Sequence, residues 1–309
     1  MSVTLIATVI ALVLGHLAPS LAASVRQYGW YRDWLSWLDA QFGEGSFWRS
    51  RWGIAIALLP PLLLVGLFQS ALDRPLLGLA GLLFAIAVLF YTWGPRDLDV
   101  DVEAILDARD PQARREAVAR LWPRSGTPTL EGGALAEAVF RSALQRWFGV
   151  LFWFLLLGPV GALLYRLTQL ATDGIDGAAA SGSTVPTETR RGARTLRAIL
   201  EWPVAQLMTL ALALVGNFDS VLGAWRNAGG ASLRLDTRFL GAAARASVNS
   251  ELAEEAADYA GDGEEGGVPA AVPAHADLPE LRDAMSLVWR SLLVWLAALA
   301  LVVIAGFVN

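Results

Sequence analysis

Leu151–Arg166 reads LFWFLLLGPVGALLYR, and its reading decides the class of this chain. It lies within Phe148–Tyr165, eighteen residues without a charge. At 1.5 Å of rise per residue they make about 27 Å of helix, close to the hydrocarbon thickness of a bilayer. The run predicts one membrane-spanning helix.

Other stretches repeat the pattern. Ser2–Ala18, Gly53–Leu72 and Pro75–Pro95 carry no Lys, Arg, Asp or Glu, and Trp289–Asn309 carries only Arg290. Backbone inside a bilayer must satisfy its own hydrogen bonds, so helices are the expected form. A hydrophobic fraction of 55% with 17% charged residues agrees. The expected fold is all-α: a polytopic helical integral membrane protein of five to six membrane segments with a small helical cytoplasmic cap, residues 1–309 forming one membrane domain. Ser2–Ala23 has no basic n-region before Arg26, so it reads as a retained first helix rather than a cleaved signal.

Composition also removes function classes. There is no cysteine, hence no disulfide framework or thiolate metal site. All 24 basic residues are arginine, so a phosphate-cradling lysine of the Walker type and a Schiff-base lysine are both absent. A net charge of −5 speaks against nucleic acid as a partner. The lipid bilayer is the partner that composition requires.

Polar segments separate the apolar runs. Val25–Arg51 mixes arginine with Tyr28, Trp30, Tyr31, Trp34 and Trp37, the signature of a segment at the headgroup level. Residues 96–146 form the helical cytoplasmic loop region, with helix-face spacing in Asp101–Ala108 and Gln112–Trp122 and a start signal at Asp110-Pro111. Residues 174–187 and 261–279, rich in Gly, Ala and Ser or Pro, are read as flexible linkers. Ile199–Gly216 is long enough to cross, but Glu201, Pro203 and Gln206 crowd its first half, so it crosses, dips and returns, or lies in the interface. If it crosses, loops on one side hold 17 arginines against 6 on the other; if not, the split is 12 against 11. The positive-inside tendency favours the crossing.

Chemical motifs are sparse. Gly261–Gly266 matches G-x-G-x-x-G by letter but lacks the strand before it, and its acidic residues repel phosphate. Asp97, Asp99, Asp101 and Glu103 resemble the start of a calcium loop, yet Val102 and Ala108 occupy the positions that need glycine and glutamate. That run reads as an acidic helix entrance. His16 and His275 have no triad partners at motif spacing. No metal and no cofactor are expected. Arg190, Arg194 and Arg197 share a helix face, and Arg197 stands four residues before Glu201, so the two can pair. The set forms either an anion or headgroup pocket at a membrane boundary or a row of interface-anchoring arginines.

Three blocks carry a family resemblance: Ala104–Leu130, Leu151–Arg166 and Gly192–Leu207. The second holds Phe-Trp, then Gly-Pro-x-Gly-Ala, then Tyr-Arg. In order and spacing they resemble the superfamily that joins the cobalamin-biosynthesis amide synthases CbiB/CobD with the regulatory protein AmpE. The synthase branch implies an ATP-dependent ligase whose carboxylates hold a metal–nucleotide. Here Arg124 matches that branch, but Ser125 stands where its aspartate is expected, and Arg141–Phe148 has no carboxylate. Leu200-Glu201-Trp202-Pro203-Val204 is similar to the acidic-Trp-Pro-Val signature of AmpE, with Gln206 in place of a following arginine.

The resemblance therefore implies a non-enzymatic, multi-pass protein of the cell inner membrane. It would be linked to β-lactamase induction and peptidoglycan-recycling signalling, with a cell-wall-derived ligand or a cell-wall-recycling protein as partner. Arg124, Arg194, Arg197, Glu201 and Gln206 are its candidate ligand-binding residues. The alternative is an ATP-dependent amide ligase like adenosylcobinamide-phosphate synthase.

Overall fold

A computed structural model of the chain describes residues 6–11, 25–72, 78–94, 98–122, 128–173, 185–261 and 278–306. Among these there is no strand. Helices run at Gly29–Gln41 (α1), Ile54–Leu72 (α2), Gly78–Thr92 (α3), Leu98–Leu106 (α4), Pro111–Ala119 (α5), Gly132–Ala143 (α6), Gly149–Leu157 (α7), Pro159–Asp173 (α8), Thr187–Val215 (α9), Phe218–Asn227 (α10), Arg238–Gly261 (α11) and Pro279–Ile304 (α12). The protein is an all-α membrane protein. Among the described residues three helices are long and apolar enough to cross a bilayer: α2 with 19 residues, α9 with 29 and α12 with 26. The 15-residue α3 is a shorter apolar helix.

Phe148–Tyr165 corrects the sequence reading, because it is not one helix. Gly158 adopts φ +67°, a left-handed conformation that glycine tolerates, and ends α7. Pro159 then opens α8 at the position where its missing N–H costs nothing. The two arms run back alongside each other. A Cβ on Gly149 would lie 2.2 Å from the Tyr165 ring, and one on Gly161 would lie 2.1 Å from the Trp153 carbonyl. These pairs are centred on Leu157, as in an antiparallel hairpin. A π-helical turn, Leu144–Phe148, joins α6 to α7 without a break. The uncharged arm before Gly158 is therefore Trp147–Leu157, which rises about 16 Å, and α8 rises about 22 Å, each short of the roughly 30 Å a span needs.

The hairpin tip exposes backbone groups that no helix satisfies. Gln69 of α2 serves both sides of it: its Nε2 donates to the Leu157 carbonyl at 3.4 Å, and its Oε1 accepts from the Val160 N–H at 3.3 Å. Apolar surroundings offer no water for either group, so the carboxamide replaces it.

The chain divides into two compact units. The first comprises Met1–Pro95, Gln145–Glu201 and Leu299–Asn309. Its core joins Tyr31, Leu35 and Leu38, one face of α1, to Ala57 and Leu58 of α2 and Leu163 and Leu167 of α8. Pro60 and Pro61 sit inside α2 without breaking it. Pro61 lacks the N–H that would bond the Ala57 carbonyl, and the Trp34 indole of α1 donates to that carbonyl at 3.1 Å. Gly192 lets α9 approach the 47–53 turn, since a Cβ there would meet the Arg51 carbonyl at 1.8 Å. Thr189 donates to the Trp48 carbonyl beside it.

The second unit comprises Arg96–Leu144 and Trp202–Ala298. Asp110 caps α5 by accepting from the Ala113 N–H at 2.9 Å, with Pro111 in the first turn, as its sequence signal implied. Asn217 caps α10 in the same way at 3.0 Å. Gly241 of α11 lies so close to Glu137 of α6 that a Cβ would stand 2.5 Å from its side chain. Arg290 of α12 pairs with Glu251 of α11 at 2.7 Å. Burial holds the Glu251 carboxyl above the usual carboxylate range, with Arg290 partly offsetting the effect.

Candidate functional site

A charged cluster forms where α8 meets the first half of α9. The helical step of four residues brings Arg197 and Glu201 onto one face, and Arg197 Nε donates to Glu201 Oε1 at 2.7 Å. Arg197 Nη1 also donates to Asp173 Oδ1 at 2.6 Å and to the Thr172 hydroxyl at 3.0 Å. The Tyr165 hydroxyl donates to Glu201 Oε1 at 3.4 Å. One guanidinium therefore holds the last turn of α8 against α9. Tyr165 and Glu201 are buried, and Asp173 is half exposed.

Arg166, next to Tyr165, is 1% exposed. Its Nε donates to the Thr92 carbonyl at 2.7 Å and its Nη1 to Gln169 Oε1 at 2.5 Å. Its Nη2 is buried and has no hydrogen-bond partner among the described residues. Among those residues no carboxylate lies within ion-pair distance of it either. Among the described residues this buried cation is held by neutral acceptors, a costly arrangement because desolvated charge is stabilised by pairing.

Trp153 locks the hairpin to α9. Its indole donates to the Leu200 carbonyl at 3.1 Å, beside Ile199, whose carbonyl has no N–H from Pro203 to bond. Outside the membrane helices, burial pushes the Tyr28 and Tyr31 hydroxyls above the usual phenol range, the nearby Arg166 charge partly offsetting this at Tyr28.

The residues singled out from sequence are distributed unevenly. Arg197 and Glu201 stand at the centre of the cluster. Arg194 is exposed on the same helix and takes no part in it. Gln206 is engaged in the second unit, where it accepts from the Trp225 indole at 2.8 Å and donates to the Gly230 carbonyl at 2.8 Å. Its role there is to fix the end of α10, and it touches neither Arg197 nor Glu201. Arg124 lies outside the described residues, as do His16, His275, Asp97 and most of the two linkers. Asp99 of the acidic run accepts from the Trp289 indole at 3.0 Å, and Asp101 is buried. Among the described residues no three His, Cys, Asp or Glu side chains gather as a metal site.

Tyr165, Arg166, Gln169, Thr172 and Asp173 were missed as site residues. Their signal was present in the chain: Tyr165 and Arg166 at the buried end of an apolar run, then polar residues at helical spacing.

No family model matches the chain, and no solved structure matches it. Among curated proteins the chain is similar to the cobalamin biosynthesis protein CobD of Chromobacterium violaceum, 34% identical over 134 residues. The match takes in 41% of this chain, and the chain spans 42% of that relative's length. It supports kinship with the CbiB/CobD superfamily.

Proposed function

We propose that this chain is a non-enzymatic, AmpE-like regulatory protein of the inner membrane that binds a small anionic ligand derived from the cell wall. The observation that carries this reading is the state of the carboxylates. Asp173 and Glu201 are both bound to Arg197. Holding a metal–nucleotide with them would mean breaking two ion pairs, one of them buried, and a lost buried partner costs about 3–5 kcal/mol. Arg166 supplies the complementary feature, a buried guanidinium whose Nη2 has no hydrogen-bond partner among the described residues. An anionic peptide or sugar fragment meets that chemistry, and the β-lactamase-induction link rests on the AmpE resemblance.

The similarity to CobD favours a second reading, an ATP-dependent amide ligase. Titrations of the detergent-purified chain with muropeptide fragments and with Mg-ATP separate the two. The regulatory reading expects saturable muropeptide binding, lost in Arg166→Gln, and no saturable nucleotide binding. Saturable Mg-ATP binding, with rescue of a strain lacking the corrinoid amide ligase, would replace it with the second.

A further inference from the structure

A cavity of 910 Å³ lies in the first unit, walled by α1, α2 and α3. On α3 its lining residues are Phe84, Ala87, Val88 and Tyr91, an i, i+3, i+4, i+7 face extending about 10 Å along the helix. On α2 they are Pro60, Pro61, Leu64 and Val65. The third wall is the tryptophan face of α1. Trp34 is fixed there by its bond to the Ala57 carbonyl, and Trp30 by its indole donating to the Tyr91 hydroxyl at 2.6 Å.

This geometry joins two levels of a bilayer. The Trp30–Tyr91 end has the composition of the headgroup belt. The Phe84–Leu64 end lies on apolar helices, and Leu63, Leu64 and Leu67 of α2 are exposed beside it. The cavity is thus continuous with the surface that faces lipid, and hydrocarbon chains are the material that surface meets. Asp33 is the charged residue of the lining. Its carboxylate disfavours an anionic lipid at the mouth, and Arg32 Nε stands 3.6 Å from it, placing a positive charge beside the negative one. Trp34 and Trp37 stack with centroids 5.2 Å apart, offering aromatic faces that attract a cation.

We propose that this cavity is a binding site for a zwitterionic, amine-bearing phospholipid. The acyl chain lies between α2 and α3, the primary ammonium rests on Asp33, and the phosphate faces Arg32. A primary ammonium donates hydrogen bonds to the carboxylate, which a quaternary one does not.

The native tryptophans report occupancy. The full chain in mixed micelles is titrated with phospholipids whose acyl chains are brominated, bearing either an ethanolamine or a glycerol headgroup. Fluorescence quenching is compared between the two headgroups at equal mole fraction, so that the background from the thirteen tryptophans is common to both. The expected result is half-quenching at about fivefold lower mole fraction of the ethanolamine lipid, the scale of one exposed ion pair with an aromatic neighbour. Asp33→Asn, an exposed change, should bring the two lipids together, and Ala87→Phe should weaken quenching by both. Equal quenching by the two lipids in the native chain, or an ethanolamine preference that survives Asp33→Asn, would overturn the assignment. So would displacement by a polyprenyl phosphate but not by the ethanolamine lipid.

Discussion

Two charge-free runs of this chain carry proline in their interior, and they end differently. Pro60-Pro61 stands inside α2, and the helix continues for eleven residues beyond it. Gly158-Pro159 turns the chain back on itself. The difference comes from the residue before the proline. Leu59 keeps a helical backbone, whereas Gly158 takes φ +67°, which reverses direction and leaves Pro159 free to begin a new helix. Both solutions expose backbone oxygen, and both borrow a side chain from a neighbouring helix. Trp34 takes the Ala57 carbonyl, and Gln69 takes the hairpin tip.

That comparison is broken most severely at the hairpin's crossing point. Gly161→Val puts a branched side chain where even a Cβ meets the Trp153 carbonyl, and about 3 kcal/mol or more of stability should be lost. Thermal unfolding of the detergent-solubilised chain would register it, and a native melting curve would mean that the arms do not touch. Gln69→Leu removes both bonds at the tip and should cost about 2 kcal/mol by the same assay, the scale of orphaned backbone groups in apolar surroundings. Trp34→Phe should cost about 1 kcal/mol. Pro61→Ala restores an N–H for the Ala57 carbonyl, so in the Trp34→Phe background it should return most of that loss. Strict additivity of the two changes would show that Trp34 does not serve the proline gap.

Much of the fold was legible. The charge-free runs gave α2, α3 and the end of α12, and Asp110-Pro111 gave the start of α5. The hairpin was not legible, because length and hydropathy measure a run without sensing the sign of φ at Gly158. Arginine counting was equally blind. With Ile199–Gly216 crossing, the split is 17 against 6 whether Phe148–Tyr165 spans or returns. Packing adds what charge omits. Glu137 lies against Gly241 and 3.6 Å from Arg245, so α6 and α11 share a side of the membrane. A cysteine at Ser232, just before α11, should be labelled by an impermeant thiol reagent from the same side as one at Glu131, just before α6, and labelling from opposite sides would contradict the packing of α6 on α11.

At the site, Arg197 and Glu201 were readable because four-residue spacing is a local rule. Asp173 and Tyr165 join them only through the packing of α8 on α9, which no local spacing encodes. Gln206 looked equivalent to Glu201 from its place in the same polar half-helix. Its partners, Trp225 and Gly230, draw it into another unit.

The returning hairpin is the central claim, and a chain without cysteine is well suited to test it. Cysteines are placed singly at Glu131 and Ser181, positions that flank the Phe148–Tyr165 run, and probed in right-side-out and inverted vesicles with a membrane-impermeant maleimide. The account expects both positions to be labelled in the same vesicle orientation. Labelling of the two in opposite orientations would show that Phe148–Tyr165 crosses the bilayer and would contradict the hairpin.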